Sequence, residues 1–284
     1  MTPRIPVLAQ YLRSRRARLD PAEFGFPADD RRVPGLRREE VAELAGISRD
    51  YYIRLEQGQK HQMSDQVLNS LADALRLDSD DRTYFFRIAR SGPVSTPRPA
   101  EPVPISKEVL TLLRSWSHVP AYIFDSNQDV IAINEMADYL NPLYAGYGDN
   151  IVRASFGILK DYPDLEGYLD VARSSVAALR FHGDPDNSRL RELVGELSVS
   201  NPLFRQIWSQ HEARPLASGS AWISIEGSEF VEIPWQVLDV PGGFFMAFRP
   251  VEEGTRAHEL FQQVLQTRMT GRALRGPLKG WPAT

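Results

Sequence analysis

Apolar residues recur at helical spacing through the first part of the chain. Positions three or four apart between Ile5 and Leu19 predict a first helix. Glycine and proline over residues 20–35 predict a loop. Apolar runs behind good capping residues then predict four more helices, which begin near Leu36, Ser48, Ser64 and Ser79 or Asp80. Residues 1–92 are therefore expected to form an all-α domain of five helices.

The pattern changes beyond residue 104, where short β-rich runs alternate with helical segments. Two strands are predicted at 121–125 and 130–134, joined by a turn. Helices are expected at 134–140, 161–181, 187–197, 201–212 and 255–268, and strands at 221–226, 229–240 and 244–250, after a loop at Ser218–Ser220. This order predicts an α+β domain over 105–270 with a five-stranded antiparallel sheet. The arrangement is similar to a PAS-like sensor.

A proline-rich stretch separates the two patterns. Residues 91–104 contain five prolines, which stop a helix and favour an extended spacer, so we predict a linker over 93–104. Residues 271–284 lack apolar periodicity and are expected to form a frayed tail. The length of 284 residues agrees with two domains at roughly 100–200 residues each.

Composition narrows the classes of function. The chain has no cysteine, which excludes disulfides, thiolate metal sites and a cysteine nucleophile. Without a secretory signal or an apolar run of ~20 residues, a cytoplasmic protein is expected. Residues 1–92 carry a net charge of +2 and residues 93–284 one of −6. Arginines cluster at 13–18 and 31–38, which indicates either an anion-binding face or solvated helix faces.

Residues 37–58 have the composition of a helix, a tight turn and a second helix. Ala42 is small enough for close helix crossing, Gly46 suits a turn with positive φ, and Ser48 caps the second helix. Sealing contacts are expected from Val41, Leu44, Ile53 and Leu55. Such a pair offers its second helix to the major groove of DNA. The alternative is a helical hairpin without a role in DNA binding.

This segment resembles the Xre, or lambda-repressor-like, helix-turn-helix family. The resemblance is carried by Glu40-Val41-Ala42, Leu44-Ala45-Gly46-Ile47-Ser48, Tyr52-Ile53 and Leu55-Glu56-Gln57-Gly58, and it covers nearly all of residues 5–78. It implies that Glu56 pairs with Arg16 on the first helix, an architectural contact.

DNA contacts are expected along the second helix of the predicted helix-turn-helix and in the residues that flank the two helices. The start of a recognition helix faces base edges, so Arg49 and Asp50, with Arg54 one turn on, are the predicted base contacts. The predicted phosphate contacts are Arg37, Arg38, Tyr51 and Lys60, and His61 is a further candidate. Half-buried packing is the alternative for Tyr51.

The long loop at 20–35 departs from a minimal Xre domain. Together with Pro34-Gly35-Leu36-Arg37-Arg38-Glu39-Glu40-Val41 it looks like the MmyB-type transcriptional regulators. Arg31 and Arg32 would then extend along the DNA backbone, or alternatively neutralise Asp29 and Asp30.

The C-terminal region is similar to the MmyB-type ligand-binding domain. The matching phrases are Pro120–Ile123, Asp129–Asn134, Leu190–Ser198 and Pro202–Trp208, although the family's usual Trp-Asn is Ile133-Asn134 here. The resemblance implies a sensor that controls DNA binding. The predicted pocket residues are Tyr122, Phe124, Asn134, Trp208, Trp222, Trp235 and Phe245, with His118 and His211 as further polar candidates. Core packing is the alternative for each aromatic, and a surface position for each histidine.

No catalytic signature accompanies these features. The sequence lacks HExxH, GxxxxGK[ST] and GxSxG, so we expect neither an enzyme nor a cofactor. The expected partners are double-stranded DNA with a palindromic operator, a second copy of the chain and a small, apolar ligand, but no membrane. The alternative is a C-terminal module for protein interaction or dimerisation that has no physiological ligand.

Overall fold

A computed structural model describes residues 7–27, 31, 35–59, 63–90, 104–140, 150–165, 167–223 and 231–269. The chain divides into two compact units, the first formed by 1–100 with 206–215 and the second by 101–205 with 216–284. The predicted linker at 93–104, apart from Pro104, and the predicted tail at 271–284 lie outside the described residues.

The first unit is all-α, as predicted. Its helices are α1 (Val7–Arg18), α2 (Arg38–Leu44), α3 (Arg49–Glu56), α4 (Asp65–Ala74) and α5 (Ser79–Arg90). A 3₁₀ turn at Pro21–Phe24 follows α1. The core is formed by the inward positions of these helices, because apolar residues at 3–4 spacing share one helix face. Leu12, Leu68, Leu71 and Phe85 are fully buried there.

The segment 206–215 completes the first unit. The Ser14 hydroxyl on α1 donates to the main-chain oxygen of Gln210 at 2.9 Å. Arg214 Nη2 lies 2.9 Å from Oδ2 of Asp78, just before α5. Ala213 between them is fully buried. The first unit is therefore assembled from two separate stretches of the sequence.

The second unit is α+β, again as predicted. Its helices are α6 (Lys107–Ser115), α7 (Glu135–Leu140), α8 (Ile151–Asp161), α9 (Tyr168–His182), α10 (Ser188–Ser200), α11 (Pro202–Ser209, which continues into the first unit) and α12 (Arg256–Met269). Its strands are β1 (Ala121–Phe124), β2 (Val130–Ile133), β3 (Ser218–Ile223), β4 (Val231–Val240) and β5 (Phe244–Phe248). They form one five-stranded sheet in the order β2-β1-β5-β4-β3, and each neighbouring pair is antiparallel.

Alternation along the strands gives β1 and β5 two apolar faces. Ala121 and Ile123 of β1 pack with Met246 of β5 and with Leu113 of α6. On the opposite face, Tyr122 and Phe124 pack with Ala247 of β5 and with Ile151 of α8. A third cluster joins Met136 of α7 and Ile233 of β4 to Phe261 of α12. Helices thus cover the sheet, and strand positions that share a face share a core.

Several boundaries differ from the sequence predictions. The single helix predicted at 161–181 is wrong, because α8 ends at Asp161 and α9 begins only at Tyr168. Pro163 and Gly167 lie between these two helices and interrupt the predicted one, since proline breaks a helix and Gly167 has a φ of 74°. Helices α6 and α8 were not predicted. Ser218–Ser220 belong to β3 rather than to the loop that was expected before it.

Candidate functional site

The turn between α2 and α3 is built from local chemistry. Gly46 has a φ of 64°, in the left-handed region that favours glycine. The amide of Ile47 donates to the Ala42 oxygen at 3.0 Å, and the Ser48 hydroxyl accepts from the Tyr51 amide at 3.2 Å. The turn and the N-cap therefore fix where α3 begins and which of its residues come first.

The seal between α2 and α3 differs in part from the prediction. Val41 and Ala42 of α2 and Ala45, which caps its end, are buried, whereas Leu44 is 39% exposed, so its predicted sealing role is wrong. Leu44 lies outside the arc that the three buried positions share on a helix with 3.6 residues per turn. From α3, Leu55 is buried as predicted, Ile53 is only half-buried, and Tyr52 is fully buried.

The predicted base contacts all lie on the solvent side of α3. Arg49, Asp50 and Arg54 are exposed. Arg49 Nε lies 3.9 Å from a Glu39 oxygen on α2, and Arg54 Nε donates to the main-chain oxygen of Asp50 at 3.3 Å. Two basic groups and one carboxylate thus share the exposed surface of this helix.

The predicted phosphate contacts flank that surface. Arg37, which caps α2, and Arg38, its first residue, are both exposed. Tyr51 is half-buried, so both alternatives for it stay open. Lys60 and His61 lie outside the described residues.

A buried carboxylate holds α1, α2 and α3 together. Glu56, the last residue of α3, has a fully buried side chain. The predicted pair with α1 is present, since Arg16 Nε donates to Oε1 of Glu56 at 2.7 Å. Arg38 Nε donates to the other carboxylate oxygen at 2.7 Å, and Arg13 donates to the main-chain oxygen of Glu56. The sequence predicted only the first of these three contacts.

Arg16 and Arg38 set the charge state of Glu56. Burial alone raises the pKa of this carboxyl, but the hydrogen bonds and charges of Arg16 and Arg38 outweigh it and hold the pKa below its ordinary value. A carboxyl whose pKa is lower in the folded than in the unfolded state stabilises the fold, and this contribution is complete at any pH above its pKa in the unfolded chain. That stability is lost as the pH falls through the pKa of the folded state.

Arg31 is held by a carboxylate that neither prediction for it named. Its guanidinium donates two hydrogen bonds to Glu40, at 2.8 and 2.9 Å, and another to the Gly35 oxygen at 3.1 Å. Glu40 also accepts from the Arg37 amide at 2.6 Å. This fork ties the loop to the start of α2. Arg32, Asp29 and Asp30, named in the two predictions, lie outside the described residues.

An aromatic cluster lies on one face of the sheet in the second unit. It brings together three of the predicted pocket residues, Tyr122, Phe124 and Phe245. The rings of Phe124 and Phe245 stack with centroids 5.5 Å apart, and the His182 ring of α9 lies 4.4 Å from Phe245. We call Tyr122, Phe124, Ile151, Phe245 and Ala247 the aromatic cluster.

The predicted tryptophans lie elsewhere. The Trp235 indole covers Gly219 on β3, where a Cβ would come within 2.4 Å of the ring. Trp222 lies beside Gly167 at the start of α9. Trp208 is half-buried in the 206–215 segment of the first unit. These three rings are therefore not members of the aromatic cluster.

Asn134 uses its side chain inside the fold. Its amide nitrogen donates to the oxygens of Trp116 and Val119, at 2.8 and 2.7 Å. Its amide oxygen accepts from the main-chain nitrogens of Ala121 and Ala137, at 3.0 and 2.8 Å. These bonds join the end of α6, the start of β1 and the first turn of α7, which favours an architectural role.

Comparison with known families matches one family model to each of the two parts of the chain. A family model described as MmyB-like transcription regulator ligand binding domain matches residues 105–261, more than half of the chain. The chain belongs to the MmyB-like transcription regulators. A second model, described as helix-turn-helix domain, matches residues 7–85. A comparison with curated proteins found no match.

The two matches make the chain a DNA-binding transcription regulator with a ligand-binding domain. Neither matched family is catalytic. Among the described residues, no group of three or more His, Asp or Glu is placed to hold a metal ion. Within the same ranges, no helix is both long and apolar enough to cross a membrane.

The MmyB-like domain also contains polar groups near its aromatic cluster that sequence reasoning missed. Tyr168 at the start of α9 is buried, and burial raises the pKa of its phenol, while the positive charge of Arg249 opposes the shift. Tyr122 also acts on this phenol electrostatically. Tyr168 shares a helix face with Ala172, so periodicity was a usable signal. Nothing local marked Arg249.

His118 and His211 are placed differently. His118 is exposed, which agrees with a surface histidine. His211 is half-buried in the first unit and has a φ of 56°.

Proposed function

We propose that the chain is a sequence-specific regulator that binds a palindromic operator as a homodimer, under the control of a small apolar ligand. The observation that carries the DNA-binding part is the exposed face of α3, with Arg49, Asp50 and Arg54 directed to solvent behind a rigid turn. One helix-turn-helix reads one half-site, so a two-fold dimer suits a palindrome. Because such a regulator acts on DNA in the cell interior, we propose the cytoplasm as its location.

Base and backbone contacts divide between two sets of residues in this proposal. An arginine such as Arg49 or Arg54 bonds guanine through two acceptors, and Asp50 accepts from cytosine. Arg37 and Arg38 at the start of α2 bind phosphates, which fix the position of α3 in the groove. Tyr51 and Lys60 extend the backbone contact in the same proposal.

The ligand is proposed to bind on the face of the sheet that carries the aromatic cluster. Ligand sites are mostly apolar with a few polar groups that fix orientation. The rings of Tyr122, Phe124 and Phe245 supply apolar surface, and Tyr168 and Arg249 supply polar groups beside Tyr122. Binding would favour one conformation of the dimer and so change its affinity for the operator.

Arg54→Ala tests base readout. Loss of a guanine contact is expected to cost about 1–3 kcal/mol of binding free energy and to relax specificity at one position of the operator. The measurement is a titration of the full chain against an operator selected by the wild type and against each single-base variant of it. Equal weakening on every sequence would instead make Arg54 a phosphate contact.

Native mass spectrometry of the purified chain tests the ligand and the dimer together. We expect the mass of a dimer that retains one small apolar molecule per chain, which denaturing extraction would release and identify. A clean dimer whose DNA binding responds to no apolar compound would support the second candidate, a C-terminal interaction module. Asn134 favours that candidate, because four internal hydrogen bonds already use the side-chain groups that were predicted to contact a ligand. A strict monomer, free and on DNA, would contradict the dimer.

A further inference from the structure

Arg38 is attached to the protein through one side of its guanidinium. Its Nε donates to the buried Glu56 carboxylate at 2.7 Å, yet 47% of its side chain is exposed. Among the described residues, its two terminal nitrogens have no hydrogen bond. The planar group is therefore fixed along one edge and open along the other, a geometry suited to a phosphate.

Two other arginines, Arg16 and Arg13, also bind Glu56, and both are less exposed than Arg38. Arg16 is largely buried and donates from Nε and Nη2 to the carboxylate, at 2.7 and 3.4 Å. Arg13 donates to the main-chain oxygen of Glu56. Three guanidiniums thus meet one carboxylate, and the local excess of positive charge is available to an anion. Arg38 is the most exposed of the three.

We propose that Glu56 is a positioning residue for DNA recognition, since it orients the Arg38 guanidinium toward a DNA phosphate. This inference rests on the proposed function, because it requires that the chain bind DNA through α2 and α3. Glu56 ends α3 and Arg38 begins α2. The orienting contact therefore also fixes the phosphate-binding group relative to the helix that reads bases.

The decisive variant is Arg38→Lys, which keeps the charge but replaces the planar guanidinium with a single ammonium nitrogen. A lysine that bonds Glu56 has no planar fork left for the phosphate. We expect its Kd for an operator selected by the wild type to rise roughly tenfold or more, as for a lost charged hydrogen bond. We expect the slope of log Kd against log salt to fall by about one in Arg38→Ala, which removes the charge, and to keep its wild-type value in Arg38→Lys.

Arg82→Lys is the matched control. Arg82 on α5 is also paired with a carboxylate, Asp73, but lies outside the proposed DNA surface. Its substitution is expected to leave both Kd and the salt slope unchanged. Melting curves of each variant show whether the protein remains folded at the titration temperature.

A coupled variant tests whether Glu56 acts through Arg38. In Glu56→Gln, adding Arg38→Ala is expected to weaken operator binding less than Arg38→Ala does in the wild type. Wild-type affinity in Arg38→Lys would overturn the inference, even if Glu56→Gln fails to fold. So would a Kd of Arg38→Ala that rises only in step with a lower melting temperature, without a change of the salt slope. A wild-type chain that selects no DNA sequence would overturn the proposed function itself, and this inference with it.

Discussion

Replacing Glu56 with alanine is expected to lower the free energy of unfolding of the first unit by about 3–5 kcal/mol. The reason is that the side chain is fully buried and bonds Arg16 and Arg38. Without the carboxylate, the largely buried guanidinium of Arg16 loses its compensating charge. Helices α1, α2 and α3 would lose the group that joins them.

Urea denaturation of the full chain, followed by circular dichroism, measures this loss. The control is Glu43→Ala on α2, since Glu43 is exposed and has no ion pair among the described residues. Surface changes of that kind usually stay within about 0.5 kcal/mol. An unfolding midpoint of the first unit that is the same in Glu56→Ala and in the wild type would contradict the central role of Glu56.

Gly35→Ala is the second substitution with a large expected effect. Gly35 has a φ of 78°, and a Cβ there would lie 2.4 Å from the main-chain oxygen of Arg16 and 2.6 Å from the carbonyl carbon of Ala17. These are backbone atoms of α1, so neither can rotate away. The left-handed conformation costs about 1–2 kcal/mol and overpacking about 1–3 kcal/mol, which together give roughly 2–5 kcal/mol.

Gly25→Ala separates the two causes. Gly25 has a φ of 77°, but nothing lies within 4 Å of the position its Cβ would take. It should therefore lose only about 1–2 kcal/mol, the conformational part. The same urea titration compares both variants. Equal losses would show that α1 yields to the added methyl group. A larger loss in Gly35→Ala would show that the contact between the loop and α1 is rigid.

The sequence was sufficient where structure depends on near neighbours. Gly46 and Ser48 act within a few residues of themselves, and the turn between α2 and α3 was predicted from them. Short runs of β-branched and aromatic residues likewise indicated the strands from β1 to β5, because each run needed only its own composition. The predicted burial of Leu44 failed because α2 is short, and the buried arc depends on where its partner helix crosses.

Longer-range contacts escaped prediction for a physical reason. Arg31 binds Glu40 and Arg38 binds Glu56, but the sequence offers many acidic partners to each arginine. Only the folded chain selects among them. The same holds for Tyr168 near the aromatic cluster, because the charge that acts on its phenol belongs to Arg249, 81 residues further along the chain. Helix α8 was missed because residues 151–160 were given no secondary structure. The helix predicted next, over 161–181, was wrongly started before Pro163.

The internal hydrogen bonds of Asn134 make positions 133 and 134 differ in the side chains they tolerate. The chain has Ile133-Asn134 at the position where its resemblance to the family implies Trp-Asn, so it shares the amide of that phrase but not the aromatic residue. The two donors and one acceptor of Asn134 satisfy four main-chain groups at once. Aspartate lacks the donors, and glutamine is one methylene too long. The side chain of Ile133 only packs against the aromatic cluster, so position 133 tolerates another apolar side chain, whereas any substitution of Asn134 leaves main-chain groups of three elements without a partner.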